Sequence, residues 1–290
     1  MQKLHAPAIW LMISGAALIP LGDTVAKFAA QTYGIEIAFM AWSRFAIAAC
    51  LLAPFAMARG IGPRHILMPA VIARGIAISL TVWLILQAAI RVPIASVYGG
   101  FFIAPALSFA FAILFLRERP GRIRSALILF GLAGVMLIVR PGLDMQAGML
   151  FALGSGVFYA AFLTANRSMS GRHLPLAMLW GQLVVGAIIL APMGFDPGNV
   201  RWAAGAYVAI IASALTSMSG NLLLLLAYAH AEASRLAPLV YTQLIAATLY
   251  GIAFFGAVPD AWTLAGLALL IASGFAALAI GRGQAGGNPA

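Results

Sequence analysis

Ionisable side chains inside apolar segments are the residues of this sequence best suited to chemistry. Asp23 and Lys27 lie four residues apart in one long apolar stretch, so on a helix they share a face and can form an ion pair. Arg44 lies in the next stretch, and its planar guanidinium suits a carboxylate. A charge at the centre of a membrane helix costs about 2.5 to 3.5 kcal/mol, so each needs a partner or a function. We therefore expect these three residues to line a solute pathway.

Two structural alternatives stay open for these charges. The Asp23–Lys27 pair would need no solute if it lay at the outer end of its helix and reached water. Arg44 would need none if it bonded structurally to another helix. Arg74, nearer the end of the third apolar stretch, is expected to extend its guanidinium to the membrane interface.

Aromatic and amide side chains at mid-stretch supply the second group of candidates. Trp83 and Gln87 lie one helical turn apart, and Trp83 corresponds to Asn221 in an internal repeat described below. An aromatic lining with a few polar groups suits a small, partly apolar solute, whereas aromatics at helix ends are typical of the interfacial belt. The predicted substrate-binding set is Asp23, Lys27, Arg44, Trp83, Gln87, Tyr98, Asn221, Tyr241 and Gln243.

Signals for catalysis, metals and cofactors are weak. The four histidines fall near the ends of apolar stretches without metal-ligand spacing, and there is one cysteine. A phosphate-binding G-x-x-x-x-G-K-[ST] loop does not occur. Asp23 is the single acid deep in an apolar stretch, with no mid-stretch histidine to act as its base. We predict no catalytic residue, no metal and no cofactor, and an intramembrane enzyme acting on lipid is kept as an alternative.

Composition indicates the class of protein. Of the 290 residues, 63% are hydrophobic and 8% are charged, against about 25% charged in soluble domains. Too few charges remain to cover a water-facing surface, so the chain is predicted to be an all-α integral membrane protein. The net charge of +10 comes from basic residues scattered between apolar runs, which form no nucleic-acid-binding face.

Apolar runs of spanning length position these candidates. About 20 apolar residues cross a bilayer as a helix, and ten stretches qualify. They are 6–30, 35–58, 67–90, 93–116, 122–139, 147–169, 175–193, 203–228, 234–256 and 261–281. Eleven basic residues fall in loops on one predicted side and three on the other. Because basic loops stay in the cytoplasm, both termini are predicted to be cytoplasmic.

An internal duplication organises these stretches. Met40, Trp42 and Pro54 recur as Met178, Trp180 and Pro192 at a constant offset of 138. A first repeat over residues 1–140 and a second over 147–281 would each hold five spans, followed by a disordered tail at 282–290. Five is odd, so the second repeat is expected to enter the membrane inverted, an arrangement that places transporter sites between the halves.

The order of short motifs resembles a known family. The second half carries Ala233-Ser234, the run Ala237–Gln243, the run Phe254–Asp260, and then Gly266 and Gly274. The first half carries Ala95-Ser96, Pro105, Leu116–Arg119, Gly131–Val135 and Arg140-Pro141-Gly142. Over the whole chain this is similar to the EamA-type carriers of the drug/metabolite transporter superfamily. One departure is Ala257, where the family pattern has a glutamate.

The resemblance implies a ten-helix carrier for small organic metabolites that does not hydrolyse ATP. Amino acids, S-adenosylmethionine-like metabolites and vitamins such as riboflavin are the expected solutes, and an exporter of drugs or toxic metabolites is an alternative. A multi-pass location in the bacterial inner membrane follows. The lipid bilayer and a small-molecule substrate are the expected partners, nucleic acid is not, and monomer or homodimer is left open.

Overall fold

A computed structural model describes residues 6–116, 122–142, 145–169, 175–230 and 236–285. Within these ranges all regular structure is helical, and the order of elements follows the apolar stretches. The helices are α1 (Ala6–Tyr33), α2 (Ile37–Ala58), α3 (Pro63–Ile66), α4 (Pro69–Ala89), α5 (Ile94–Phe101), α6 (Ala104–Leu116), α7 (Arg122–Val139), α8 (Gly148–Met169), α9 (Pro175–Gly194), α10 (Ala204–His230), a 3-10 helix (Ala237–Tyr241), α11 (Thr242–Phe255) and α12 (Ala261–Ala285).

Among the residues that the structure describes, seven helical segments are long and apolar enough to cross a membrane. They are Pro7–Tyr33, Ile37–Ala58, Pro69–Ala89, Ile94–Phe115, Gly148–Ala165, Leu176–Gly194 and Ala204–His230. Three further apolar helices, Ser125–Val139, Leu239–Phe255 and Ala261–Ala276, are shorter. The prediction of an all-α protein of membrane-length helices is therefore confirmed, whereas ten spans and the orientation of the termini stay predictions.

Two of the predicted stretches are interrupted at prolines. The stretch 93–116 divides into α5 and α6, and α6 begins at Ala104, next to Pro105. The stretch 234–256 begins as the 3-10 helix that contains Pro238 and continues as α11. Proline has no N–H and clashes with the preceding turn, so the first turn of a new helix accommodates it most easily. Three other prolines, Pro20, Pro54 and Pro192, lie inside the continuous helices α1, α2 and α9, as membrane helices allow.

The C-terminal tail differs from its predicted bounds. Helix α12 extends to Ala285, so residues 282–285, predicted as part of the disordered tail, are helical. The rest of that tail, 286–290, lies outside the described residues, as do the predicted motif residues Ala233-Ser234 and the basic loop Arg117–Arg119.

Large apolar side chains cover the outer surface of the helices. Trp10, Phe55, Leu114, Ile188 and Val208 are each more than 60% exposed. Apolar surface on this scale is rare on a soluble monomer and marks a surface made for another apolar phase. Lipid is that phase here, because the same helices have membrane length.

The most extensive helix contacts join the two halves of the chain. Helix α1 packs on α10, α4 on α8, α2 on α9, and α7 on α12. Small residues permit the closest approach: a Cβ placed on Gly15 of α1 would lie 2.8 Å from the carbonyl oxygen of Gly220 in α10. Small-residue contacts of this kind are how membrane helices pack without a hydrophobic driving force.

The repeated tryptophans pack rather than line a site. The Trp180 Nε1 of α9 donates a hydrogen bond to the Ala49 carbonyl of α2 at 3.0 Å. The Trp42 ring lies 5.7 Å from that of Phe195. The motif that identifies the repeat thus stabilises the α2–α9 contact.

An ion pair outside the membrane-length helices links the end of α7 to the start of α12. The Arg140 guanidinium donates to both carboxylate oxygens of Asp260. The amide of Thr263 also donates to Asp260 Oδ1 at 2.8 Å, as at a helix N-cap. These hydrogen bonds, Arg140 first, lower the pKa of Asp260 to about 2.

Candidate substrate site

A buried ion pair joins the first two helices. Arg44 Nη1 of α2 donates to Asp23 Oδ1 of α1 at 2.5 Å, and the two side chains are 6% and 3% exposed. A charge-assisted hydrogen bond of this length is among the stronger polar contacts in proteins. The two charges offset each other's burial, which neither residue could sustain alone.

Two neutral residues extend the pair to two further helices. The Tyr98 hydroxyl of α5 donates to Asp23 Oδ2 at 2.7 Å. Arg44 Nε donates to Ser213 Oγ of α10 at 2.8 Å, and Ser213 in turn donates to the Gly22 carbonyl at 3.0 Å. We call Asp23, Arg44, Tyr98 and Ser213 the buried ion-pair network. It connects three helices of the first half with one helix of the second.

A glycine in α1 brings α10 within reach of this network. A Cβ on Gly22 would lie 3.1 Å from the Ser213 carbonyl oxygen and would overlap the Ser217 hydroxyl. The absence of a side chain at Gly22 therefore lets α10 approach α1. That approach carries Ser213 to the guanidinium, although nothing in the sequence distinguishes this serine from others in α10.

Several buried polar atoms near the helix interfaces are left without a partner. Within the described ranges, Arg44 Nη2, Gln182 Oε1, Trp83 Nε1 and Ser217 Oγ are buried and make no hydrogen bond. Arg44 and Gln182 are equivalent positions of the two repeats. Since buried polar groups are normally satisfied, unpartnered ones in a native fold call for an explanation such as a ligand or water.

Lys27 departs from the predicted pairing. Its Nζ donates to the Val92 carbonyl beyond the end of α4 at 3.0 Å and lies 4.9 Å from the centroid of the Phe255 ring. Asp23 is instead bonded by Arg44 and Tyr98. The predicted Asp23–Lys27 pair is therefore wrong: a same-face spacing permits a pair, but a guanidinium from the next helix and a carbonyl near a helix end bind more favourably.

Gln87 and Trp83 lie in different environments, one at the exposed end of α4 and the other against the hydrophobic core. Arg91 Nη1 donates to both the side-chain and the backbone oxygen of Gln87 at 2.6 Å, and this contact is exposed. Trp83 is partly buried against the hydrophobic core. The structure thus leaves Trp83 near the interior and binds Gln87 at the end of its helix.

Asn221 is exposed, and its Nδ2 donates to the Ser217 carbonyl one turn earlier in α10 at 2.8 Å. Helices α4 and α10 are not among the extensively packed pairs. Within the described part of the chain, no hydrogen bond joins Trp83 to Asn221, because the indole N–H is unpartnered. Trp83 and Asn221 are equivalent positions of the two repeats, but no hydrogen bond between their side chains follows from this equivalence.

The other two candidates of the second half, Tyr241 and Gln243, lie where the 3-10 helix meets α11. Gln243 is 3% exposed. The Tyr241 ring lies 4.9 Å from that of Phe102 and packs where a Cβ on Gly274 would overlap it. Because the rings of Phe102 and Tyr241 flank the two proline-associated helix starts, aromatic packing connects the interrupted segments of the two halves.

Metal binding finds no support in the part of the chain that the structure describes, where no group of three or more His, Cys, Asp or Glu side chains comes together. Asp23 is a carboxylate near the interior, and Arg44 and Tyr98 donate hydrogen bonds to its two oxygens. The arrangement favours reversible binding of an organic group by charge and hydrogen bonds.

Fold and site together define a multi-helix membrane protein with a buried polar centre that joins its halves. Residues 146–278 match the EamA-like transporter family, which confirms the resemblance seen in the motifs. A solved crystal structure with 20% sequence identity and a TM-score of 0.66 covers 94% of this chain and 98% of its own, so the same fold occurs in a known structure.

Curated relatives with detectable similarity are transporters by name. The pseudopaline exporter CntI of Pseudomonas aeruginosa is 26% identical over 76% of this chain and 77% of its own. The riboflavin transporter of Vibrio cholerae is 25% identical over 94% of both chains. The S-adenosylmethionine uptake transporter of Rickettsia bellii is 23% identical over 86% and 85%. Bacterial relatives and membrane-length helices confirm the predicted multi-pass location in the inner membrane.

Proposed function

We propose that this protein is a secondary transporter that moves a small organic metabolite across the inner membrane by alternating access. The observation that carries the proposal is the buried ion-pair network, a set of charges at the contact between the halves. Charged residues within membrane helices mark solute and ion pathways because they are too costly to keep without a function. The names of the relatives support transport over enzymatic activity.

The alternating-access part rests on two inverted repeats, residues 1–140 and 147–281, with ten spans and both termini in the cytoplasm. The helix contacts support it, because they follow the expected twofold pattern. Exchange of the repeats turns the α1–α10 contact into the α8–α4 contact, and both are extensive. The same exchange leaves the α2–α9 contact and the α7–α12 contact unchanged, because each of them joins two equivalent helices of the repeats. The family match at 146–278 nearly coincides with the second repeat.

The ion-pair network gives this motion a chemical trigger. Capture of Arg44 by an anionic group weakens the bond between α1 and α2 and releases the contact to Ser213 of α10. The free Arg44 Nη2 is the donor available to such a group. We assign Asp23, Arg44, Tyr98 and Trp83 to the centre of the site, with Lys27, Gln87, Asn221, Tyr241 and Gln243 along the pathway.

The solute classes follow from the relatives and from the lining. Riboflavin and S-adenosylmethionine are the first candidates, since relatives transport metabolites with these names, and aromatic amino acids are the third. An aromatic lining with a few polar groups suits a planar solute that carries a polar group. Export and import are the two directions that the relatives' names span.

Transport by the purified chain in liposomes tests the proposal. Vesicles preloaded with unlabelled riboflavin, S-adenosylmethionine or tryptophan should accumulate the matching labelled solute by counterflow. Asp23→Asn should abolish counterflow, because the ion pair with Arg44 is lost. Asp196→Asn is the matched control, because Asp196 is an exposed loop acid whose bond to the Gly198 amide an asparagine retains. Counterflow of none of the three solutes, or an Asp23→Asn variant that exchanges solute at the wild-type rate, would refute it.

A further inference from the structure

Arg74 is a second arginine inside the helical bundle. It is the sixth residue of α4, roughly 8 Å from the helix start at a rise of about 1.5 Å per residue. Its guanidinium carbon lies 4.9 Å from the centroid of the Phe162 ring in α8. Its Nε and Nη1 atoms are buried. The side chain therefore faces the α4–α8 contact, and the expectation that Arg74 extends to the interface is not met.

Arg74 lacks the partners that Arg44 has. Nε and Nη1 make no hydrogen bond within the described ranges, where the ion pairs are Arg44–Asp23 and Arg140–Asp260. Buried guanidinium N–H groups without an acceptor oppose folding. A charge that is kept at such a cost within a membrane helix marks a functional site by default. The repeat gives a second indication: the position equivalent to Arg74 is Ala212, so the charge is not part of the shared scaffold.

Aromatic rings surround one face of the Arg74 guanidinium. Phe162 covers one face of the guanidinium, and the ring of Tyr159 is stacked on Phe162 with centroids 5.7 Å apart. Tyr159 also packs on Phe101 at 4.9 Å. A guanidinium held against an aromatic face presents its N–H edge in a fixed plane, the geometry that binds both oxygens of a carboxylate or phosphate.

We propose that Arg74 binds the anionic group of the transported solute, a carboxylate or another oxyanion, between α4 and α8. The assignment rests on the proposed transport function and adds that the solute carries an acidic group, which favours the carboxylates S-adenosylmethionine and tryptophan over neutral riboflavin. The ion-pair network responds to the solute at the α1–α2 contact, and Arg74 anchors the acid. A lipid headgroup phosphate offers the same chemistry, so the test has to separate the two sources.

Thermal unfolding of the full chain in nanodiscs of neutral lipid provides the test. Sodium butyrate should raise the Tm of the wild type by several degrees over sodium chloride of equal ionic strength, whereas the neutral isostere butyramide should not. Arg74→Gln should lose the butyrate shift. Arg91→Gln should keep it, because Arg91 also stacks on a ring, that of Phe151, but is exposed.

A structural role predicts different results. Arg74→Gln without anion should unfold close to the wild type, because it removes the contact with the Phe162 ring but no hydrogen bond. A fall as large as that of Arg44→Gln would overturn the proposal, as would a butyrate shift that survives in Arg74→Gln or equals that of butyramide. A Tm that rises with phosphatidylglycerol in the nanodisc but not with butyrate would assign the site to lipid and also overturn it.

Failure of transport is distinguishable from failure of this site. A butyrate shift that depends on Arg74, with no counterflow of any solute tested, would refute the transport proposal and leave the anion site standing. Counterflow that Arg74→Gln leaves unchanged in KM would overturn the anion site and leave transport standing. Within the transport assay, a rise in KM with kcat unchanged is the expected effect, because Arg74 binds the solute without driving the motion.

Discussion

Asp23 and Arg44 form an ion pair with Oδ1 and Nη1 2.5 Å apart, almost fully removed from solvent, between the first two helices. Removal of either charge leaves the other buried without its partner. We expect Asp23→Asn and Arg44→Gln each to destabilise the protein by about 3 to 5 kcal/mol. The double substitution should cost less than the sum of the two, with a coupling energy of about 0.5 to 3 kcal/mol. Denaturant unfolding in micelles measures it, and additive effects would contradict the pair.

Tyr98 should stabilise the charged form of Asp23 through a single hydrogen bond. The hydroxyl donates to Oδ2 at 2.7 Å from a side chain that is 1% exposed. Tyr98→Phe keeps the ring and removes this donor, so we expect a loss of about 1.5 to 3 kcal/mol, as for hydrogen bonds to charged groups. Tyr207→Phe is the control: Tyr207 is 55% exposed and stacks on Trp202. Equal unfolding midpoints for the two variants would rule out the role of Tyr98.

The lowered pKa of Asp260 predicts how the stability of the link between α7 and α12 depends on pH. Its pKa is lowered to about 2 by Arg140 and by the Thr263 amide. A lowered pKa means that the stabilisation is complete above the unfolded value of 3.8 and is lost as pH falls through the folded value. The difference in unfolding midpoint between wild type and Asp260→Asn should be constant from neutral pH to about pH 5, then shrink towards pH 2. A difference that changes between pH 7 and 5 would assign the titration to another group.

The contact between α1 and α10 should not tolerate a methyl group at its closest point. A Cβ on Gly15 would lie 2.8 Å from the Gly220 carbonyl oxygen, so Gly15→Ala should cost about 1 to 3 kcal/mol through overpacking. Gly251→Ala in α11 is the matched control, since its Cβ would meet nothing closer than 3.9 Å. That change should be neutral or stabilise the helix by about 0.5 to 1 kcal/mol. Thermal unfolding measures the stability of both variants. A Gly15→Ala variant as stable as Gly251→Ala would contradict the close contact between Gly15 and Gly220.

The amino-acid sequence was sufficient for the class of protein and for most of its helices, and its motifs carried the resemblance to EamA-type carriers. Membrane-length apolar runs have few alternatives in a bilayer, because a helix satisfies its own backbone hydrogen bonds. Length and apolar composition are local, so the residues within one segment contain this information. The interruptions near Pro105 and Pro238 were not predicted, because Pro20, Pro54 and Pro192 lie inside continuous helices and proline alone does not mark a break.

Tertiary structure alone decided which polar groups meet. The spacing of Asp23 and Lys27 fits a pair, but Arg44 from the next helix binds Asp23, and Lys27 binds the Val92 carbonyl instead. Ser213 enters the network because Gly22 lets α10 approach. Arg74 resembles an interfacial arginine until α8 places Phe162 against it. Partners of a buried charge come from segments distant in the chain, and the packing of small residues between helices determines which of them come within hydrogen-bonding distance.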